Sequence, residues 1–197
     1  MTGPMVFAIR HGETEWSLSG RHTGVTDIPL TENGRNAAKR LEPVLSKAEF
    51  TRVLSSPLER ARVTCELAGL GAKMEIDPAL AEWNYGEYEG LTPEEIDRRA
   101  PGWMIFNDGC PGGESPDQVG ARVDGLLARI RGTAGTVAVF SHGHLLRVLA
   151  ARWIAFPPAL GSHFLLDTST ISILDHYRDT PALKSWNAPL ADGSYTS

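Results

Sequence analysis

Short apolar runs alternate along the chain with stretches whose apolar residues recur at helical spacing. Met5 to Ile9, Thr51 to Ser55, Lys73 to Ile76 and Thr136 to Phe140 have the length of strands. The last is continuous and bounded by glycine, the pattern of a strand buried on both faces. Between them, Ala37, Ala38, Leu41, Val44 and Leu45 predict a helix opened by Thr31, with a kink or an end at Pro43. Ser56-Pro57-Leu58-Glu59, Thr92-Pro93-Glu94-Glu95 and Ser115-Pro116-Asp117-Gln118 each read as a capping box with proline at the first helical position. The first predicts a helix with the apolar face Leu58, Ala61, Cys65 and Ala68; the second a short one to about Arg99; the third a face of Val119, Val123, Leu126, Leu127 and Ile130. A further helix runs through Leu145, Leu146, Leu149 and Trp153 and stops at Pro157-Pro158, while His163 to Leu166 and Ile171 to Tyr177 read as late strands. The tail after Asn187 is small and polar and reads as flexible. With no repeat or linker, the alternation predicts one α/β domain over residues 1–197, a three-layer sandwich with a mainly parallel sheet flanked by helices.

Composition narrows the classes. Hydrophobic residues make up 42% and charged residues 22% of the 197, the proportions of a globular domain. A net charge of −5 argues against a nucleic-acid footprint or a polybasic membrane anchor, so affinity for an acidic ligand must be local. The opening MTGPMVFAIR has no basic region, and no segment approaches the roughly 18 apolar residues of a membrane span. The expectation is a cytoplasmic protein without membrane or nucleic-acid partners. Cys65 and Cys110 offer neither a disulfide framework nor metal-ligand spacing, and neither is followed six residues on by an arginine, as a cysteine phosphatase loop would require.

The chemistry gathers where strands end. Arg10-His11-Gly12-Glu13-Thr14 follows the first strand, Ser141-His142-Gly143-His144 follows the buried one, and the helix after Ser56 carries Arg60 and Arg62 in its first turns. In an open α/β sheet ligands bind beyond the carboxyl ends of the strands, so these groups should converge. Spacing alone does not say which arginine points inward. The loop Glu82 to Gly90 holds Glu82, Glu87 and Glu89 among aromatics, and burial against rings is one route by which a glutamate becomes a general acid; spacing does not choose among the three. Two histidines, two arginines and a carboxylate suit phosphoryl transfer, in which fixed positive donors around the equatorial oxygens supply most of the catalysis. On this reading His11 is the nucleophile, Arg10 and His142 hold the phosphoryl group, a helix arginine completes the clamp, and a loop glutamate moves the proton. The competing reading is a metal hydrolase built on His142-x-His144, which lacks a carboxylate bridge and leaves Arg10 unexplained.

Arg10-His11-Gly12-Glu13-Thr14, Leu58-x-Arg60-Ala61-x-x-Thr64, Glu82-x-x-Tyr85-Gly86-x-x-x-Gly90 and Ser141-His142-Gly143-His144 occur in the order found in the histidine phosphatase superfamily, also called phosphoglycerate mutase-like, and the chain resembles that family. The resemblance implies a phosphohistidine at His11, phosphate binding by Arg10, Arg60 and His142, acid/base work by Glu82, and a pocket lined by Thr14, Ser17, Thr23 and Gly24, with Tyr85 and Gly143 in the substrate-binding set. It implies neither cofactor nor metal, and a homodimer is compatible with it. Trp83 and Asn84 stand where cofactor-dependent mutases carry an arginine after the glutamate, and Arg98-Arg99 lacks the surroundings of their later arginine pair. That departure predicts a phosphatase acting on a small phosphorylated metabolite, with a mutase or a non-catalytic phospho-ligand module as the alternatives. Trp16-Ser17, Thr26-Asp27, Glu82-Trp83, Asp108-Gly109-Cys110, Gly113-Glu114, Asp167-Thr168 and Trp186-Asn187 are similar to a branch with fungal sedoheptulose-bisphosphatase and bacterial acid phosphatases, which suggests a phosphorylated sugar or acid as substrate.

Overall fold

The computed structural model describes residues 3–189. Strand β1 (Met5–Arg10) is followed by a one-turn helix α1 (Glu15–Leu18), then α2 (Glu32–Lys39) and α3 (Glu42–Leu45). Next come β2 (Arg52–Ser55), α4 (Glu59–Leu67), β3 (Met74–Ile76), α5 (Pro93–Arg99), α6 (Ile105–Asp108) and α7 (Pro116–Arg131). The chain then forms β4 (Thr136–Ser141), α8 (Gly143–Trp153), β5 (Ile171–Tyr177) and β6 (Thr180–Ala188). The strands make one sheet in the order β3-β2-β4-β1-β5-β6.

Side-chain alternation explains why helices cover both faces. Val6 and Ala8 of β1, Leu54 of β2 and Val137 and Val139 of β4 pack with α7 and α8. Their neighbours Ile9, Val53, Ala138 and Phe140 face the other way, onto Leu41, Leu45, Cys65 and Ala68. A strand buried on both faces needs apolar residues at every position, which is what Thr136 to Phe140 supplies. The parallel pairing puts the carboxyl ends of the central strands at one edge: Arg10 is opposite Ser141, and Ser55 is opposite Phe140.

The sheet is mainly parallel, as expected: β3, β2, β4 and β1 are parallel, and β5 and β6 run antiparallel at one edge. Several other expectations need correction. Residues 163–166 form no strand. A 3-10 helix, Pro158–His163, precedes them, and side chains take the backbone carbonyls there: Arg10 Nη1 donates to Leu166, and Trp186 Nε1 to Leu165 at 2.6 Å. Ser56 does not cap α4, whose first residue is Glu59; Asp27 Oδ1, from a distant loop, accepts the Glu59 amide at 2.8 Å instead. The helix is interrupted just before Pro43 rather than at it: α2 ends at Lys39, and Pro43 sits in the first turn of α3, which starts at Glu42. Ala188, the first residue of the expected tail, belongs to β6, and the rest of that expectation from residue 190 on lies outside the described residues. Among the described residues no helix is long and apolar enough to cross a membrane.

Candidate active site

His11 sits one residue past β1, 4% exposed, with its amide donated to the Ser141 carbonyl at 2.9 Å. Its Nδ1–H donates to the Gly12 carbonyl at 2.7 Å, which leaves Nε2 without a protein partner on the wall of a cavity. Burial, and then the Arg60 and Arg10 guanidinium groups, hold the imidazole pKa well below the ordinary histidine range, against the pull of the Gly12 bond. Gly12 is required by a close approach: a Cβ there would stand 2.6 Å from the Gly34 carbonyl oxygen of α2. Arg10 lies against Gly143, where a Cβ would meet its Cζ at 3.3 Å, and its Nε–H is buried without a partner.

Behind His11 stands His142, fully buried, with ring centroids 5.1 Å apart. Arg60 Nε donates to His142 Nδ1 at 3.1 Å, so the proton sits on Nε2 and is donated to Ser56 Oγ at 2.7 Å. Ser56 thus serves the site rather than its helix. Burial, followed by Arg60 and His11, keeps His142 well below the usual range and neutral. Arg60 is 0% exposed; Nη1 donates to the Thr26 carbonyl and Nη2 to those of Thr23 and Gly24. Glu89 grips the same loop from the other side, accepting the amides of Gly24 and Thr26. Arg62 turns back onto the Pro57 carbonyl.

Glu82 is 6% exposed and lies at the N-terminus of α8. Its Oε1 accepts the amides of Trp83 and Leu145, each at 2.9 Å, and Oε2 that of His144 at 3.0 Å. The loop carrying Glu82 is pinned by Arg122 of α7, which donates from Nη1 to the carbonyls of Ala79 (2.9 Å) and Ala81 (2.7 Å) and forks onto Glu114. Glu114 in turn accepts the Asn84 amide at 2.9 Å. Tyr85 Oη and His144 Nδ1 share a hydrogen bond of 2.6 Å, and the His144 and His22 rings stack 6.0 Å apart. Burial pushes the Tyr85 hydroxyl pKa well up and the His144 imidazole well down.

A cavity of about 280 Å³ opens at this sheet edge. Of the residues singled out from sequence, Arg10, His11, Ser17, Thr23, Glu82, Tyr85 and Gly143 line it. Arg60, His142, Thr14 and Gly24 stand behind that wall; Thr14 caps α1 in a reciprocal pair with Ser17. Sequence reasoning missed Arg21, His22 and Arg147, which also line the cavity. Arg147 was within reach, since it falls three residues after His144 on one helix; His22 sits in a loop without a periodic signal. The wall thus carries three arginines, Arg10, Arg21 and Arg147, and one carboxylate, Glu82. His142 and His144 turn to different neighbours, Arg60 with Ser56 and Tyr85 with His22, so the pair presents no shared metal position.

Comparison with known proteins identifies the family. The model of the histidine phosphatase superfamily (branch 1) matches residues 6–189. An acid phosphatase of Mycobacterium tuberculosis is 43% identical over 169 residues, spanning 84% of this chain and 83% of that protein. Sedoheptulose 1,7-bisphosphatase of Saccharomyces cerevisiae is 37% identical over 183 residues, 76% of this chain and 67% of that one. The solved structure of an M. tuberculosis open reading frame superposes with a TM-score of 0.89 at 37% identity, covering 94% of this chain and 98% of that one. The chain belongs to the histidine phosphatase superfamily, branch 1.

Proposed function

We propose that the protein is a metal-independent phosphomonoester hydrolase that works through a phosphohistidine at His11 on a small phosphorylated metabolite. The observation that carries the reading is the state of His11. Its Nδ1–H is held by the Gly12 carbonyl, its pKa is driven down by burial and two arginines, and Nε2 is left as a lone-pair donor on a basic wall. Nε2 attacks phosphorus, the ester P–O bond breaks, and the departing alkoxide takes a proton from Glu82. Water then attacks the phosphohistidine, returns a proton to Glu82 and frees phosphate and His11. Arg10 and the Gly143 amide at the start of α8 face the transferring group, where helix amides favour negative charge. Arg60 and His142 set the shape behind it.

The named activities of the two relatives support hydrolysis of a phosphorylated sugar or a similar metabolite. Hydrolysis rather than phosphoryl reorientation is supported by Arg98 and Arg99, which lie on the exposed side of α5 and off the cavity wall. The reading takes the chain as one catalytic domain. It also carries a cytoplasmic setting, in keeping with two free thiols at Cys65 and Cys110. The test is phosphate release from a panel of sugar mono- and bisphosphates, phosphoglycerates and an aryl phosphate in excess chelator. Release by the native protein and none by His11→Ala is the expected outcome. Conversion of 3-phosphoglycerate to 2-phosphoglycerate without release would make it a mutase, and no turnover of any compound would leave a binding module.

A further inference from the structure

Beside the basic cavity lies a second one of about 390 Å³, and the two share His22, Pro93, His144 and Arg147 as a common wall. Its remaining surface is of a different kind, dominated by Trp103, Met104, Ile105 and Phe106 at the start of α6. Aromatic edges surround it: His22 meets Trp103 with ring centroids 5.6 Å apart, and His144 meets Phe106 at 5.3 Å, both in tilted edge-on contact. Met104 is 47% exposed although it is a large apolar residue next to a cavity. An exposed thioether in such a place is an adaptable, polarizable surface for a ring to lie on.

Arg147 forms part of the shared wall but is committed elsewhere. It donates from Nε to Gly161 and from Nη2 to Ser162, and its guanidinium lies over the Phe106 ring at 4.5 Å. Asp97 on the far rim adds negative charge. The second cavity is therefore a poor receptor for another phosphate and a good one for a flat, neutral group. Its volume is ample, since a dry cavity of about 150 Å³ holds a benzene ring.

Resting on the reading of the first cavity as a phosphomonoester site, we propose that the second cavity binds an aromatic group carried by the same substrate. The substrate class is then a phosphomonoester whose alcohol bears a one- or two-ring aromatic system a few bonds from the phosphate. Trp103 and Met104 are its specificity-determining residues.

The experiment compares 2-(1-naphthyl)ethyl phosphate with ethyl phosphate, both of which release simple primary alcohols, so the chemical step differs little between them. Burial of a bicyclic ring predicts a kcat/KM ratio of about tenfold to a hundredfold in favour of the naphthyl compound. Met104→Ser and Trp103→Ala should each shrink that ratio at least about fivefold. The ratio is the readout because a loss of folded protein lowers both rates together. Naphthylmethylphosphonate against methylphosphonate, measured by calorimetry, gives the same comparison without turnover. A native ratio near one, or a ratio that survives in both variants, overturns the proposal. If neither ester is hydrolysed, the hydrolase reading fails, and the phosphonate pair still decides the cavity.

Discussion

Arg122 offers the sharpest perturbation away from the reacting groups. Its side chain, about one-fifth exposed, makes a two-pronged ion pair with Glu114, with Nε to Oε1 at 2.9 Å and Nη2 to Oε2 at 2.8 Å. It also satisfies the Ala79 and Ala81 carbonyls. Replacing it with methionine keeps the length but strands the Glu114 carboxylate and two carbonyls. Removing one member of a fully buried pair costs about 3–5 kcal/mol, and a charged hydrogen bond about 1.5–3 kcal/mol. With partial exposure we expect Arg122→Met to lose about 2–4 kcal/mol, within the stability of an ordinary domain. The effect on rate is separate. The brace fixes the segment that carries Glu82, and a displacement of about 1 Å at a catalytic group costs roughly a hundredfold. Denaturant unfolding gives the first quantity, and steady-state kinetics under native conditions give the second. The expected pattern is kcat down roughly 30- to 100-fold with KM changed less than about threefold. Arg122→Lys, which retains charge but not the fork, should recover part of each. A methionine variant with native kcat, or one that alters KM alone, would refute this role for the brace.

Other outcomes follow from the same geometry. Gly34→Ala places a Cβ 2.2 Å from the Glu13 carbonyl oxygen, a backbone atom that cannot yield cheaply, so unfolding free energy should fall by about 3 kcal/mol in a denaturant titration; an unchanged midpoint would mean α2 and the His11 loop are not in contact. His11 and His142 are buried and His144 is half-buried, and all three have pKa values held well below 6.5. Below the unfolded value near 6.5 the unfolded chain takes protons that the native one refuses, so stability is present at pH 7.5 and falls with acidification. Each imidazole contributes about 1.4 kcal/mol per pH unit until its own folded pKa is reached. Midpoints measured from pH 7.5 to 5.5 should drop steeply, and a flat profile would mean these histidines are charged in the native state. Burial pushes both thiols up to about 12. Iodoacetamide at pH 7.5 should therefore leave turnover intact, whereas rapid inactivation would point to a cysteine nucleophile.

Much of the layer plan is legible in the sequence because β1 and β4 carry unbroken apolar runs, Met5 to Ile9 and Val137 to Phe140, the pattern of strands buried on both faces. The strand-end rule brings Arg10, His11, Ser56 and His142 to one edge without any coordinates. Legibility fails where a side chain serves a distant partner. Ser56 has the pattern of an N-cap, but His142 takes its hydroxyl, and Asp27 caps α4 from another loop. Residues 163–166 look extended, yet their carbonyls go to arginine and tryptophan side chains rather than to a neighbouring strand. The antiparallel hairpin of β5 and β6 turns at Arg178-Asp179, with Arg178 at φ 58°, and lacks the Asn-Gly or Asp-Gly pair that announces such a turn. Arg60 and Arg62 sit at equivalent helical spacing from the apolar face; only the 23–26 loop, supplying three carbonyls, separates them.

The central claim, that His11 carries the phosphoryl group, is tested most directly by rapid acid-free quenching of turnover with a ³²P-labelled phosphomonoester. The native chain should hold label that is stable to alkali, lost in acid and mapped to the peptide containing His11, and His11→Ala should hold none. Burst-phase turnover with no label on the chain, or label that persists in His11→Ala, would contradict the account.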